Sequence, residues 1–157
     1  MLWDVEIRPA ANEIDRDAAR VVNEAQALGA STVKQARSAR AFLLQATSLS
    51  EADVNRAART LLVDPVAEAS RVTCVSREQE VGGRRAEGGQ QSSPFTPNSE
   101  FRIPNSPQLL NVLFKPGVTD NVALSTHKAL VDLGFNVEAV ATGRKYWFDA
   151  AACEPPG

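Results

Sequence analysis

Apolar and polar positions alternate at the start of the chain, with Trp3, Val5 and Ile7 on one side and Asp4, Glu6 and Arg8 on the other. A two-residue period predicts a half-buried strand over 2–8. Pro9 closes it, because proline cannot donate to a ladder. The period then lengthens. Ala18, Val21, Val22, Ala25 and Leu28 recur at three- and four-residue steps, which predicts an amphipathic helix with Asp15 as its cap and Gly29 as its stop. Val33–Arg37 and Ala41–Ala46 read as two strands joined at Ser38-Ala39-Arg40. Ser50-Glu51-Ala52-Asp53 has capping-box chemistry ahead of a helix that presents Val54, Ala57, Ala58, Leu61 and Leu62. That helix ends at Asp64-Pro65, since the residue before proline resists the helical region. Val66–Val75 supplies a last strand. The order β-α-β-β-α-β over residues 1–76 is that of a ferredoxin-like α+β module, an antiparallel sheet with helices on one face.

The plan returns later in the chain. Val112-Leu113-Phe114-Lys115-Pro116 answers Val5-Glu6-Ile7-Arg8-Pro9, Leu133-Gly134 answers Leu28-Gly29, and Thr142-Gly143-Arg144-Lys145-Tyr146-Trp147 answers Ser38-Ala39-Arg40-Ala41-Phe42-Leu43. Between them a helix carries Val122, Ala123, Leu130 and Leu133, and Val137–Ala141 and Lys145–Phe148 read as strands. A tandem copy is therefore predicted over 109–149. It lacks a counterpart of the last helix and strand, and 150–157 reads as a tail. Residues 77–108, with Gly82-Gly83, Gly88-Gly89, Pro94, Pro97, Pro104 and Pro107, have no period and read as a flexible linker. Phe95, Phe101 and Ile103 are scattered through it and carry no message singly.

Bulk composition narrows the partners. The chain has 157 residues, 43% hydrophobic and 23% charged, with a formal net charge of −2. No basic stripe marks a nucleic-acid surface. No apolar run approaches the ~20 residues that span a bilayer, and Met1 is followed by a charged, alternating segment rather than a signal peptide. Two cysteines, Cys74 and Cys153, form no disulfide framework or metal cluster. A soluble, cytoplasmic protein with reduced thiols is expected.

The residues assemble no catalytic constellation. His127, the one histidine, sits mid-helix without a nucleophile at hand and reads as a surface or boundary residue. Cys74 reads as a small core residue. Gly82–Gly89 lacks the Gly-Lys-Ser/Thr of a phosphate loop. Catalytic residues, metal ligands and a cofactor of its own are expected to be absent. Two stretches stand out as partner surfaces. Lys115, Pro116, Gly117, Thr119 and Asp120 form a rigid turn into a helix N-terminus, where amides can receive an anion. Gly143, Arg144, Lys145, Tyr146 and Trp147 set two cations beside two aromatics, residue types that dominate binding hot spots.

The Lys115–Asp120 turn, the Leu133-Gly134 helix end and the Thr142–Tyr146 junction together resemble the PurS family, the small subunit of phosphoribosylformylglycinamidine synthase in purine biosynthesis. The match covers Leu109–Phe148 closely and Leu2–Val75 loosely. The resemblance implies a non-catalytic part of an ATP- and glutamine-dependent ligase that bridges synthetase and glutaminase and helps ammonia pass between them. ATP and magnesium then belong to the synthetase alone. It also implies that the two modules imitate, within one chain, the dimer that family members form through their sheets. The first module departs from the pattern, with Arg8-Pro9-Ala10 for Lys-Pro-Gly and Ala39-Arg40-Ala41 for Gly-Arg-Lys. The shortened second module reads as the front of a truncated or frame-shifted longer synthase, with an unpaired sheet edge. A different reading is a regulatory, amino-acid-sensing tandem module, whose ligand would sit near Pro9-Ala10 or Lys115-Pro116-Gly117.

Overall fold

The computed structural model describes residues 1–75 and 108–148. The expected linker up to residue 107, the tail over 150–157 and Cys153 lie outside the described residues. The elements are β1 (Leu2–Pro9), α1 (Arg16–Ala27), β2 (Ala36–Gln45), α2 (Glu51–Ala57), β3 (Glu68–Cys74), β4 (Gln108–Leu113), α3 (Asn121–Asp132) and β5 (Ala139–Phe148). A π-helical turn, Ala58–Leu62, prolongs α2. All five strands join one antiparallel sheet in the order β3-β1-β2-β5-β4. The architecture is α+β and compatible with a ferredoxin-like fold.

The helix limits follow from local chemistry. Asp15 Oδ1 accepts from Ala18 N at 2.9 Å to cap α1, and Asp120 Oδ1 accepts from Ala123 N at 2.9 Å to cap α3. Ser50 and Asp53 form the expected capping box on α2. Gly29 and Gly134 follow α1 and α3 with φ of +94° and +85°, a conformation that glycine adopts without steric cost.

Two expectations about strands are corrected. Val33–Arg37 and Ala41–Ala46 are not separate strands, because β2 runs unbroken from Ala36 to Gln45. Val137–Ala141 and Lys145–Phe148 likewise merge into β5, over Ala139–Phe148. The supposed turns are ladder positions. Ser38, Ala39 and Arg40 lie opposite Tyr146, Lys145 and Arg144, and Thr142 and Gly143 lie opposite Phe42 and Ala41. Each of these two strands is paired along both sides, and that tertiary pairing overrides the turn propensity of Ser, Gly and Ala.

The helices cover one face of the sheet. Trp3, Val5 and Ile7 of β1 and Phe42 and Leu44 of β2 form a core with Val54, Ala57, Ala58 and Leu62 of the α2 segment and Leu130 of α3. The helix ends match the expectation, but the helix faces do so only in part. Leu28, Val122 and Leu133, expected on inner faces, are exposed, and so is Cys74, expected in the core. β3 is an edge strand, so its last residues have a neighbour on one side only.

Candidate functional site

The sequence of contacts from β1 through α1 to β2 is repeated from β4 through α3 to β5. Asp15, besides capping α1, accepts from Ser38 N and Oγ, both at 2.6 Å. Asp120, besides capping α3, accepts from Thr142 N at 2.8 Å and Thr142 Oγ1 at 2.7 Å. In each half one carboxylate therefore fixes the helix start to the returning strand. Burial alone would raise the Asp120 pKa, but the amides of Ala123 and Thr142 and the Thr142 hydroxyl outweigh it and hold the carboxyl below its ordinary value.

The two halves meet at β2 and β5, where Arg40 lies directly opposite Arg144. These arginines correspond to each other: Ile7 of β1 pairs with Arg40 as Val112 of β4 pairs with Arg144, so Val112 takes the place of Ile7 and not, as the repeat in the sequence predicts, that of Val5. The registers on either side of this pair therefore match. The two side chains leave in different directions. Arg40 reaches Glu68 Oε1 of β3 at 2.6 Å. Arg144 turns to Asp17 Oδ2 of α1 at 2.6 Å, where the Tyr146 hydroxyl also donates at 3.0 Å.

A cleft lies at each strand-to-helix junction, and both are lined by Arg40 and Arg144. The one beside α1, about 530 Å³, has Asp15, Asp17, Arg20 and Glu68 in its wall. The one beside α3, about 370 Å³, is apolar, lined by Phe42, Val112, Leu113, Phe114 and Val122. Gly143 lies under this second cleft for a steric reason. A Cβ there would come within 2.8 Å of the Val112 carbonyl oxygen. Ala39 holds the corresponding place in β2.

The face away from the helices carries a charged network that crosses the sheet. Lys145 of β5 extends over β2 to Asp4 and to Glu6 Oε1 (2.8 Å) on β1, and Arg8 binds the other side of Glu6. The small side chains of Ala39 and Ala41 on the intervening strand leave room for this path. Arg8 in turn stacks on Trp147, 4.4 Å from the ring centroid. Burial alone would lower the Lys145 pKa and raise that of Glu6. Their hydrogen bonds and mutual charge win, so Lys145 is held above its ordinary value and Glu6, with Arg8 assisting, below it.

The expected partner residues therefore fall into two groups. Lys115, Pro116, Gly117 and Thr119 are exposed in the turn after β4, and Arg144 is exposed at the cleft while paired with Asp17. Asp120, Lys145, Tyr146 and Trp147 are engaged within the chain, and Gly143 makes room for β4. His127 is half-buried, and its Nε2 donates to the Val137 carbonyl at 3.0 Å, which ties α3 to the segment before β5. Among the described residues no group of three or more His, Cys, Asp or Glu side chains is placed to hold a metal ion. No helix among them is long and apolar enough to cross a membrane. Sequence reasoning missed Asp4, Glu6, Asp15 and Asp17 as long-range anchors. The one signal for Asp15 was its place before α1, matching Asp120 before α3. No family model, curated protein or solved structure matches the chain.

Proposed function

We propose that the chain is a non-catalytic assembly part of phosphoribosylformylglycinamidine synthase, made of two PurS-like modules, that bridges synthetase and glutaminase and helps ammonia pass between them. The observation that supports this reading is the repeated frame. Asp15–Ser38 and Asp120–Thr142 are the same tether in two copies, and the copies join through β2 and β5 as two subunits join through their sheets. The second copy carries the turn and strand motifs on which the resemblance rests. The exposed Lys115–Thr119 turn and Arg144 are the contact residues in this reading. Lys145 is internal, so its loss reads on stability before it reads on binding.

The test is reconstitution with a synthetase and a glutaminase of this enzyme. Adding the chain is expected to raise glutamine-dependent product formation and leave ammonia-dependent formation unchanged. Equal glutamine-dependent rates with and without it contradict the proposal. A second reading, a small-molecule sensor, is favoured by the two clefts at the strand-to-helix junctions. A rise in melting temperature with an amino acid or purine nucleotide supports the sensor, because a ligand bound only by the native state stabilises it. No shift with any of them counts against it.

A further inference from the structure

The structure contains its own template for what a flank of this sheet accepts. In the first half, the edge of β1 is paired by β3, with Val5 opposite Val72 and Ile7 opposite Ser70. The α2 segment lies over the same residues and contributes Val54, Ala57, Ala58 and Leu62 to their core. β4 occupies the corresponding place in the second half. Its outer edge has no partner strand among the described residues. Leu110 and Val112, which correspond to Val5 and Ile7, are 51% and 46% exposed against 0% and 2%. Nor does β4, Gln-Leu-Leu-Asn-Val-Leu, carry the charge, proline or bulge by which natural edges discourage pairing.

We propose that the β4 flank binds a helix–strand segment of a partner polypeptide, in the way β1 takes α2 and β3. The partner's strand runs antiparallel along β4, and the helix before it lays a face of small and branched aliphatic residues on Leu110 and Val112. This combines strand addition with the seating of an apolar helix face. The template adds a charge requirement. Glu68, at the start of β3, binds Arg40 two strands away. A carboxylate at the same place in the partner reaches Arg144, the counterpart of Arg40, only by drawing it away from Asp17. The inference rests on β4 and not on the purine-enzyme reading, so either can fail alone.

The probe is a synthetic peptide of residues 50–75, titrated into the full isotope-labelled chain while backbone amide resonances are followed. Saturable shifts are expected at β4 and at Arg144. They should vanish in a Leu110→Lys/Val112→Lys variant and with a peptide carrying Val54→Asp and Leu62→Asp. Both lysines stand at half-exposed edge positions, and a thermal melt of the variant checks that the fold persists. Three results overturn the proposal: no shifts at β4, shifts confined to β1 where the peptide exchanges with β3, or shifts that survive in the lysine variant. Concentration-dependent association through β4 without peptide overturns it too, since the occupant is then a second copy of the chain.

Discussion

The flank of β1 and the flank of β4 begin from the same frame and end in opposite states. Each strand pairs with a central strand, leads through a short loop into an aspartate-capped helix, and places two aliphatic side chains on the helix-covered face. On β1 those side chains are sealed by α2 and β3. On β4 they stand half in solvent. The clefts differ in their side chains, with Asp15, Asp17, Arg20 and Glu68 beside α1 and Phe42, Val112, Leu113, Phe114 and Val122 beside α3. The strands and tethers of the two halves are thus alike, and what differs is the chemistry of the surface built on them. Buried strand side chains are concentrated on the β1 side, and exposed apolar strand surface, which marks interaction sites, on the β4 side.

Three experiments break or sharpen this contrast. The largest effect is expected from core truncation on the covered side. Ile7→Ala should cost about 2–4 kcal/mol in urea unfolding, because it removes buried methyl groups and leaves a cavity. Val112→Ala, at the corresponding place, should cost about 0.5 kcal/mol or less, as exposed substitutions do. Equal losses would abolish the contrast between flanks.

Next come the tethers. Asp15→Ala and Asp120→Ala should each cost about 1–3 kcal/mol, since each removes a helix cap and the acceptor of a strand amide. The two losses should agree. A large loss in one half alone would mean that the frame is not shared in energetic terms.

The smallest effect concerns pH and the network that joins the halves. Glu6 is held below its ordinary value, so its contribution is present above pH 4.5 and is lost as pH falls through the folded value. Lys145 is held above its ordinary value, so its contribution is present below pH 10.5 and is lost as pH rises through the folded value. Stability should be level between these limits and fall outside them. Glu6→Gln should make the acid limb shallower without removing it, because Asp17 and Asp120 are also held below their ordinary values. An acid limb unchanged in Glu6→Gln would deny Glu6 its part in the network.

The sequence disclosed where helices start and stop because those signals are local. Asp15, the Ser50–Asp53 box, Asp120, Gly29 and Gly134 act within one turn of their own positions. It misdirected at Ser38-Ala39-Arg40 and Thr142-Gly143-Arg144, whose residues suit a turn but stand in the two central strands. Their pairing partners lie far away in the chain, and no window around them contains that information. The same distance hid the site's electrostatics. Lys145 and Trp147 looked like partner residues because Asp4, Glu6 and Arg8, which engage them, sit at the opposite end of the sequence. Leu28, Val122 and Leu133 kept a helical period, yet the surface they face is solvent.

The most direct measurement is hydrogen exchange of backbone amides in the full chain, comparing β1 with the alternate β4 amides that do not bond β5. Protection grades from core strands to exposed edges. The β1 amides should exchange only on global opening, whereas the outward amides of β4 should exchange orders of magnitude faster. Equal protection of the two strands would show that the β4 flank is already covered within the chain, and would contradict the contrast on which this account rests.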